Sequence, residues 1–194
     1  DEHNTILGND LWKNAKNNID AISFETTFDK LMQRSNYNET NGILVGPEVS
    51  RIFTYEQQGN LVTIHNVRNF NWHSPDQYDE RWETRSYNLD EITGVNIITS
   101  YWMGPQIAHT LVSFDFLNQR PLVFSIEIRK EKNENFSAIG GFFRQFELSL
   151  IAADEKDIVY TRSNIRGEQV YFFPIQLPKA ETKALFEEYL LKSS

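Results

Sequence analysis

The chain has 194 residues, a formal net charge of −8 and no cysteine. That length suits one domain, or one domain with a small appendage, able to bury a core without covalent staples. Zero cysteine excludes disulfides, cysteine-ligated zinc or iron–sulfur centres and a thiol nucleophile within these residues. The acidic balance argues against nucleic acid and against broad docking on anionic lipid.

Apolar residues are 40% of the chain and aromatics 13%, a composition that folds rather than stays disordered. No stretch approaches the roughly 20 apolar residues needed to span a bilayer. Asp1-Glu2-His3-Asn4 lacks an initiator Met and a signal-peptide pattern. It reads as a processed start, compatible with a membrane anchor outside this chain.

In chain order, residues 1–60 are Asn-rich and predict a helical and irregular region. Asn9-Asp10 can cap a helix to about Ile19, and Phe24, Phe28, Leu31 and Met32 set a second over residues 24–34. Residues 35–46 read as loop, 49–55 as a strand and 57–60 as a turn. From residue 61 the pattern turns strand-rich, which marks 61–194 as the main domain. Residues 61–67 alternate, with Leu61, Thr63, His65 and Val67 on one face. Residues 69–79 hold turn formers and Pro75 and read as loop.

Strands are predicted over 81–89 and 95–102, joined by a turn at 90–94. Residues 107–116 and 122–129 form the clearest hairpin, linked by Leu117-Asn118-Gln119. Residues 130–135 are a charged loop, 137–146 a helix despite Gly140-Gly141, and 148–153 a short buried strand. A helix follows over 154–162 with Asp154 as cap, then a strand over 170–177. Pro178 opens a last helix to about Leu191. The fold class is α+β, a mostly antiparallel sheet with flanking helices.

The hairpin carries the chemistry. Alternation puts His109, Ser113 and Asp115 on one face with Leu111, and Ser125, Glu127 and Arg129 on one face of the returning strand. A three-residue loop pairs residues whose numbers sum to 236, so His109 opposes Glu127. Opposed side chains have Cβ atoms about 5 Å apart. A carboxylate there orients the imidazole and stabilises its charged form, the arrangement a general base needs. The plain alternative is a surface ion pair. Ser113 is about 13 Å along the strand from His109, too far to serve it as a nucleophile.

His65 reads as a structural residue in a strand, His73 as solvated in a loop and His3 as terminal. The histidines lack metal-ligand spacing such as HExxH, so no metal or cofactor is expected. Arg68, Arg81, Arg85, Arg129, Arg144, Arg162 and Arg166 are expected to pair with Glu83, Glu127, Glu147 or Asp154. Their spacing does not indicate an anion clamp. Trp72, Trp82 and Trp102 would suit a carbohydrate-binding module if exposed, although Trp in strands is more often core.

Several segments carry a family resemblance. They include Val62-Thr63-Ile64-His65-Asn66-Val67-Arg68-Asn69-Phe70, Arg81-Trp82-Glu83-Thr84-Arg85, Tyr101-Trp102 and Ile107-Ala108-His109-Thr110. They continue with Ser125-Ile126-Glu127-Ile128-Arg129-Lys130-Glu131, Phe142-Phe143-Arg144-Gln145-Phe146-Glu147-Leu148 and Asp154-Glu155-Lys156-Asp157. From about residue 61 to 191 the chain resembles the Lnb N-terminal periplasmic domain family. The resemblance implies a bacterial envelope domain, in the periplasm or on the outer face of the cytoplasmic membrane. It implies a circularly permuted papain-like fold and thiol-dependent acyl transfer or hydrolysis on a lipoprotein or other acylated substrate. His109 matches the family's Ala-His-Thr motif and Glu127 its Ser-Ile-Glu motif, which makes them the catalytic candidates. Trp102 and Arg129, in the matching segments, are the substrate-binding candidates. The family's cysteine lies in an Asn-Cys-Thr motif after the segment matching 185–191, which this chain does not contain. A non-catalytic periplasmic interaction domain is the alternative.

Overall fold

The computed structural model describes residues 47–102, 104, 108–129 and 147–192, with the backbone alone at residues 47, 128, 129 and 147. The chain divides into two compact units, Asp1–Glu39 and Thr40–Ser194, and the description concerns the second. The helices predicted at 9–19, 24–34 and 137–146 lie outside the described residues, as do the loops at 35–46 and 130–135.

The strands are β1 (Thr54–Gln58), β2 (Leu61–Arg68), β3 (Asn71–Ser74), β4 (Gln77–Asp79) and β5 (Trp82–Asn88). They continue with β6 (Ile92–Tyr101), β7 (Ala108–Phe116), β8 (Gln119–Arg129), β9 (Glu147–Asp154) and β10 (Gln169–Ile175). The main sheet runs β1-β2-β9-β8-β7-β6-β10, with β5 paired onto β2, while β3 and β4 form a separate hairpin. Every pairing is antiparallel except β2 with β9, which meet in parallel at Arg68↔Ala153. Helices α1 (Glu155–Tyr160) and α2 (Lys179–Leu191) complete the α+β architecture.

The two faces of the central strands are both covered, by different helices. On one, Phe114, Phe116 and Phe124 meet Phe186 of α2 at ring-centroid distances of 5.0, 5.6 and 5.7 Å. Tyr189 stacks on Phe124 at 5.1 Å and Phe53 closes the cluster from the other side at 5.4 Å. On the other, Ile98, Leu111, Val123, Ile151 and Ala153 pack against Ile158 of α1. The face that carries His109 is therefore roofed by a helix, and Leu111, Ser113 and Ser125 on it are buried.

One side chain fastens that roof. Asp157 is fully buried and accepts from Arg68 Nε at 2.8 Å, Arg68 Nη2 at 3.2 Å, the Phe70 amide at 2.8 Å and Trp72 Nε1 at 2.7 Å. Four donors on two oxygens fill the capacity of a carboxylate and satisfy a charge that burial would otherwise penalise. This anchor also corrects the loop expected at 69–79. Residues 71–74 and 77–79 form a hairpin turning at Pro75-Asp76. Trp72 and Tyr78 pair across it at 4.4 Å and Phe70 stacks on Tyr78 at 5.0 Å. Trp72 is buried and Trp82 half-buried, so a shared aromatic binding surface with Trp102 does not form.

The β2 alternation breaks before Val67. Asn66 adopts φ 60°, its amide donates to the Ile52 carbonyl at 3.1 Å, and the β2–β5 register shifts between Ile64 and Val67. Asn tolerates the left-handed region, and a bulge adds one residue, which moves Val67 to the core face with Val62 and Ile64. The strand expected at 49–55 begins later, at Thr54, because the Gly59-Asn60 turn (Gly59 φ 61°) sets Gln58↔Leu61 as its first pair.

Asp154 caps α1 as expected, its carboxylate accepting from the Lys156 amide at 2.8 Å. Beyond Tyr160 the helix widens into a π turn, Thr161–Ile165, with Arg166 N–H bonded to the Thr161 carbonyl five residues back. Gly167 (φ 67°) then reverses the chain into β10.

Candidate active site

The β7–β8 register has the predicted sum. Leu111↔Ser125, Val112↔Phe124, Ser113↔Val123 and Phe114↔Leu122 are all paired. The connection differs from the expected three-residue loop. Phe116 pairs with Gln119 across a two-residue turn, and Arg120-Pro121 bulge opposite Asp115. Proline, lacking an N–H, fits a bulge, and the extra residue restores the count.

That register brings the two sequence-predicted catalytic candidates together: His109 Nε2 lies 3.3 Å from Glu127 Oε1. Ser125, which sequence reasoning did not assign to the site, joins them. Its Oγ is 2.8 Å from His109 Nε2 and 2.6 Å from Glu127 Oε1. Arg162, from the π turn, donates through Nη2 to the same Glu127 oxygen at 2.7 Å and through Nη1 to the Ile158 carbonyl at 3.1 Å. Burial alone would raise the Glu127 carboxyl. The charge of the Arg162 guanidinium beside it outweighs burial and holds Glu127 well below the usual carboxylate range.

These bonds assign the protons. An ionised Glu127 only accepts, so the single Ser125 hydroxyl proton goes to it. Ser125 Oγ must then accept from His109 Nε2–H. The neutral imidazole is held as the Nε2–H tautomer, and Nδ1 carries the lone pair, with no bond to it among the described residues. The imidazole is a quarter exposed, open to a reacting group.

On the other side His109 is the cross-strand partner of Ser100 of β6. Ser100 Oγ donates to Glu168 Oε2 at 2.5 Å, and Arg166 Nη1 lies 3.9 Å from Glu168 Oε1. Trp102 stands just past the end of β6, beside the Tyr101↔Ala108 pair, and is exposed. Arg129 is in β8, and its side chain lies outside the described residues.

The remaining candidates fall elsewhere. Ser113 donates to Glu155 Oε2 at 3.0 Å. His65 Nδ1 is 3.1 Å from Thr84 Oγ1 across β2 and β5, a structural contact. His73, expected in a loop, is in β3, exposed and 2.9 Å from Asp79. Arg81 and Arg85 pair with Glu83 at 2.7 and 2.6 Å, and Arg85 with Asp154 at 2.6 Å. Among the described residues no three His, Asp or Glu side chains gather as a metal site.

The Lnb N-terminal periplasmic domain family matches residues 78–192. No curated protein and no solved structure matches the chain. The match spans more than half of the 194 residues and contains His109, Ser125, Glu127 and Arg162. This chain therefore belongs to the Lnb N-terminal periplasmic domain family, and it is a periplasmic domain.

Proposed function

We propose that this domain supplies the general base and its orienting acid for thiol-dependent acyl transfer or hydrolysis on a lipoprotein or other acylated substrate. The observation that carries the reading is the relay His109 Nε2–H to Ser125 Oγ to Glu127 Oε1, with Arg162 keeping Glu127 ionised. It leaves His109 Nδ1 unprotonated and aims negative charge at the imidazolium that forms when Nδ1 takes a proton.

The thiol comes from outside the 194 residues, which contain none. The resemblance to a circularly permuted papain-like enzyme supplies it in the Asn-Cys-Thr motif after the segment matching 185–191. Nδ1 accepts the thiol proton and the thiolate adds to the acyl carbonyl. The tetrahedral intermediate collapses, and His109 returns the proton to the departing alcohol or amine. A second acceptor, an amine or water, then takes the acyl group from sulfur. Trp102 and Arg129 are assigned to holding the substrate. The outer face of the cytoplasmic membrane is the place where this chemistry would meet lipoproteins.

A second reading, a non-catalytic periplasmic interaction domain, is favoured by the absence of cysteine from the chain. One experiment separates them. The natural protein, with any continuation past residue 194 included, is incubated with an acylated lipopeptide and examined for an acyl-thioester by mass spectrometry. The acyl-transfer reading expects the adduct on the cysteine, its loss in the Cys→Ala variant, and a drop of about 10²–10⁴ in its formation rate for His109→Ala. A continuation without cysteine overturns it in favour of the interaction domain, and His109→Ala acylating at the full rate overturns the assignment of His109 as the base.

A further inference from the structure

Arg162 and Arg166 sit four residues apart in and just after the π turn, and their environments differ. Arg162 is buried and engaged, with Glu127 on one nitrogen and the Ile158 carbonyl on another. Arg166 is the opposite case. Its guanidinium makes no hydrogen bond among the described residues. The Glu168 carboxylate stands at 3.9 Å, beyond hydrogen-bond reach, with its other oxygen taken by Ser100. The Arg166 side chain is 43% exposed, so a ligand can reach it. Its backbone is fixed, with its amide on Thr161 O at 2.9 Å and the next turn closed by Glu168 N–H on Arg162 O at 2.9 Å. A guanidinium carries five donors, and here they are reachable and, among the described residues, without a hydrogen-bonded partner.

Position gives this cation a role. Ser100, the cross-strand partner of His109, holds Glu168, which puts Arg166 toward the β6 side of His109 while Glu127 and Arg162 lie toward the β8 side. Phe172 and Val170 of β10 lie on the same sheet face, Phe172 opposite Ile98 and Val170 opposite Ser100. Phe172 is exposed there.

We propose that Arg166 binds a monoanionic oxyanion of the substrate, a carboxylate or a phosphodiester, beside His109. The proposal rests on reading His109 as the reacting base. The charge preference follows from the flanking carboxylates Glu127 and Glu168, which repel a dianion more than a monoanion. Burial and the nearby charge of Arg162 both press Arg166 toward neutrality, which an incoming anion relieves.

The test uses the 194-residue chain and three probes: acetate, dimethyl phosphate and sulfate. Arg166 Nε–H and His109 are followed by NMR while each anion is added at constant ionic strength. The proposal expects a saturable shift at Arg166 with a monoanion, an affinity at least about tenfold weaker in Arg166→Ala, and a partial loss in Arg166→Lys. Saturation by acetate alone assigns a carboxylate, and by dimethyl phosphate alone a phosphodiester. The proposal is overturned by no saturable shift with either monoanion, by unchanged binding in both variants, or by sulfate binding most tightly. No thiol is needed, so failure here leaves the acyl-transfer reading standing, and failure to form an acyl-enzyme leaves this binding measurement unaffected.

Discussion

Arg162 reaches across from the π turn to place Nη2 2.7 Å from Glu127 Oε1, the same oxygen that takes the Ser125 hydroxyl. A carboxylate so held contributes stability that depends on pH. Its folded pKa lies well below the unfolded one, so the contribution is complete above about pH 4.3, the unfolded value, and is lost as pH falls toward the folded value. The melting temperature should drop as pH is lowered from about 5 to 3, and Glu127→Gln should flatten that limb. Arg162→Ala leaves the carboxylate half-buried without its cation and should cost about 2–5 kcal/mol in denaturant unfolding at pH 7. An unchanged acid limb in Glu127→Gln would show that Glu127 is not the group responsible.

Ser125 is a positioning residue, acting through His109. Its replacement by Ala removes the acceptor for Nε2–H but leaves Glu127 at 3.3 Å. Acyl-enzyme formation in the natural protein should fall about tenfold, the worth of one hydrogen bond. The nitrogen-15 shifts of His109 should report the Nε2–H tautomer in the parent chain and a tautomer mixture in Ser125→Ala. A parent imidazole carrying its proton on Nδ1 contradicts the assignment.

Asp157 is the strongest single tie. Asp157→Ala strands Arg68 as a buried charge and frees the Phe70 amide and the Trp72 indole. A loss of about 3–5 kcal/mol is expected, with Trp72 fluorescence moving to longer wavelength as the β3–β4 hairpin detaches. A loss under about 1 kcal/mol would mean that water replaces the carboxylate.

Glu155 behaves in the reverse sense to Glu127. Burial raises its carboxyl, Asp115 and Asp154 add to the rise, and the Ser113 hydroxyl opposes it. The folded protein therefore holds the proton more tightly than the unfolded chain, so stability falls as pH rises through the folded pKa. Glu155→Gln should match or exceed the parent at pH 7, by less than about 1 kcal/mol because a first-turn carboxylate also favours the helix. The difference should shrink at pH 4. Melting curves at the two pH values decide it, and a variant less stable than the parent at pH 7 contradicts the sign.

The hairpin and the His109–Glu127 pairing were legible because register depends on local counts. A loop of the expected length and a shorter turn with a bulge at Arg120-Pro121 yield the same sum. Ser125 was on the correct face but one pair along, opposite Leu111, and its hydroxyl orientation is not a pattern property. Arg162 was expected to pair with an acidic residue, but which one follows only from α1 and its π turn lying across that face, 35 residues from Glu127. The β3–β4 hairpin was hidden for the same reason. Pro75 and Asp76 signal a turn, but what makes strands of the flanks is Trp72 reaching a carboxylate 85 residues away. Asn66 escaped notice because a bulge reads as ordinary alternation until its φ is known.

The single parallel contact of β2 with β9, Arg68↔Ala153, has a consequence for how the domain is made. The early strands β1 to β5 pair only among themselves until β9 and Asp157 exist, and those residues come more than 80 positions later. Closing so long a loop is entropically slow, and rates fall as contacts become less local. A chain emerging from its amino-terminal end therefore carries an unlocked strand cluster for much of its synthesis, and a truncation before β9 should leave that cluster unable to join the rest of the sheet.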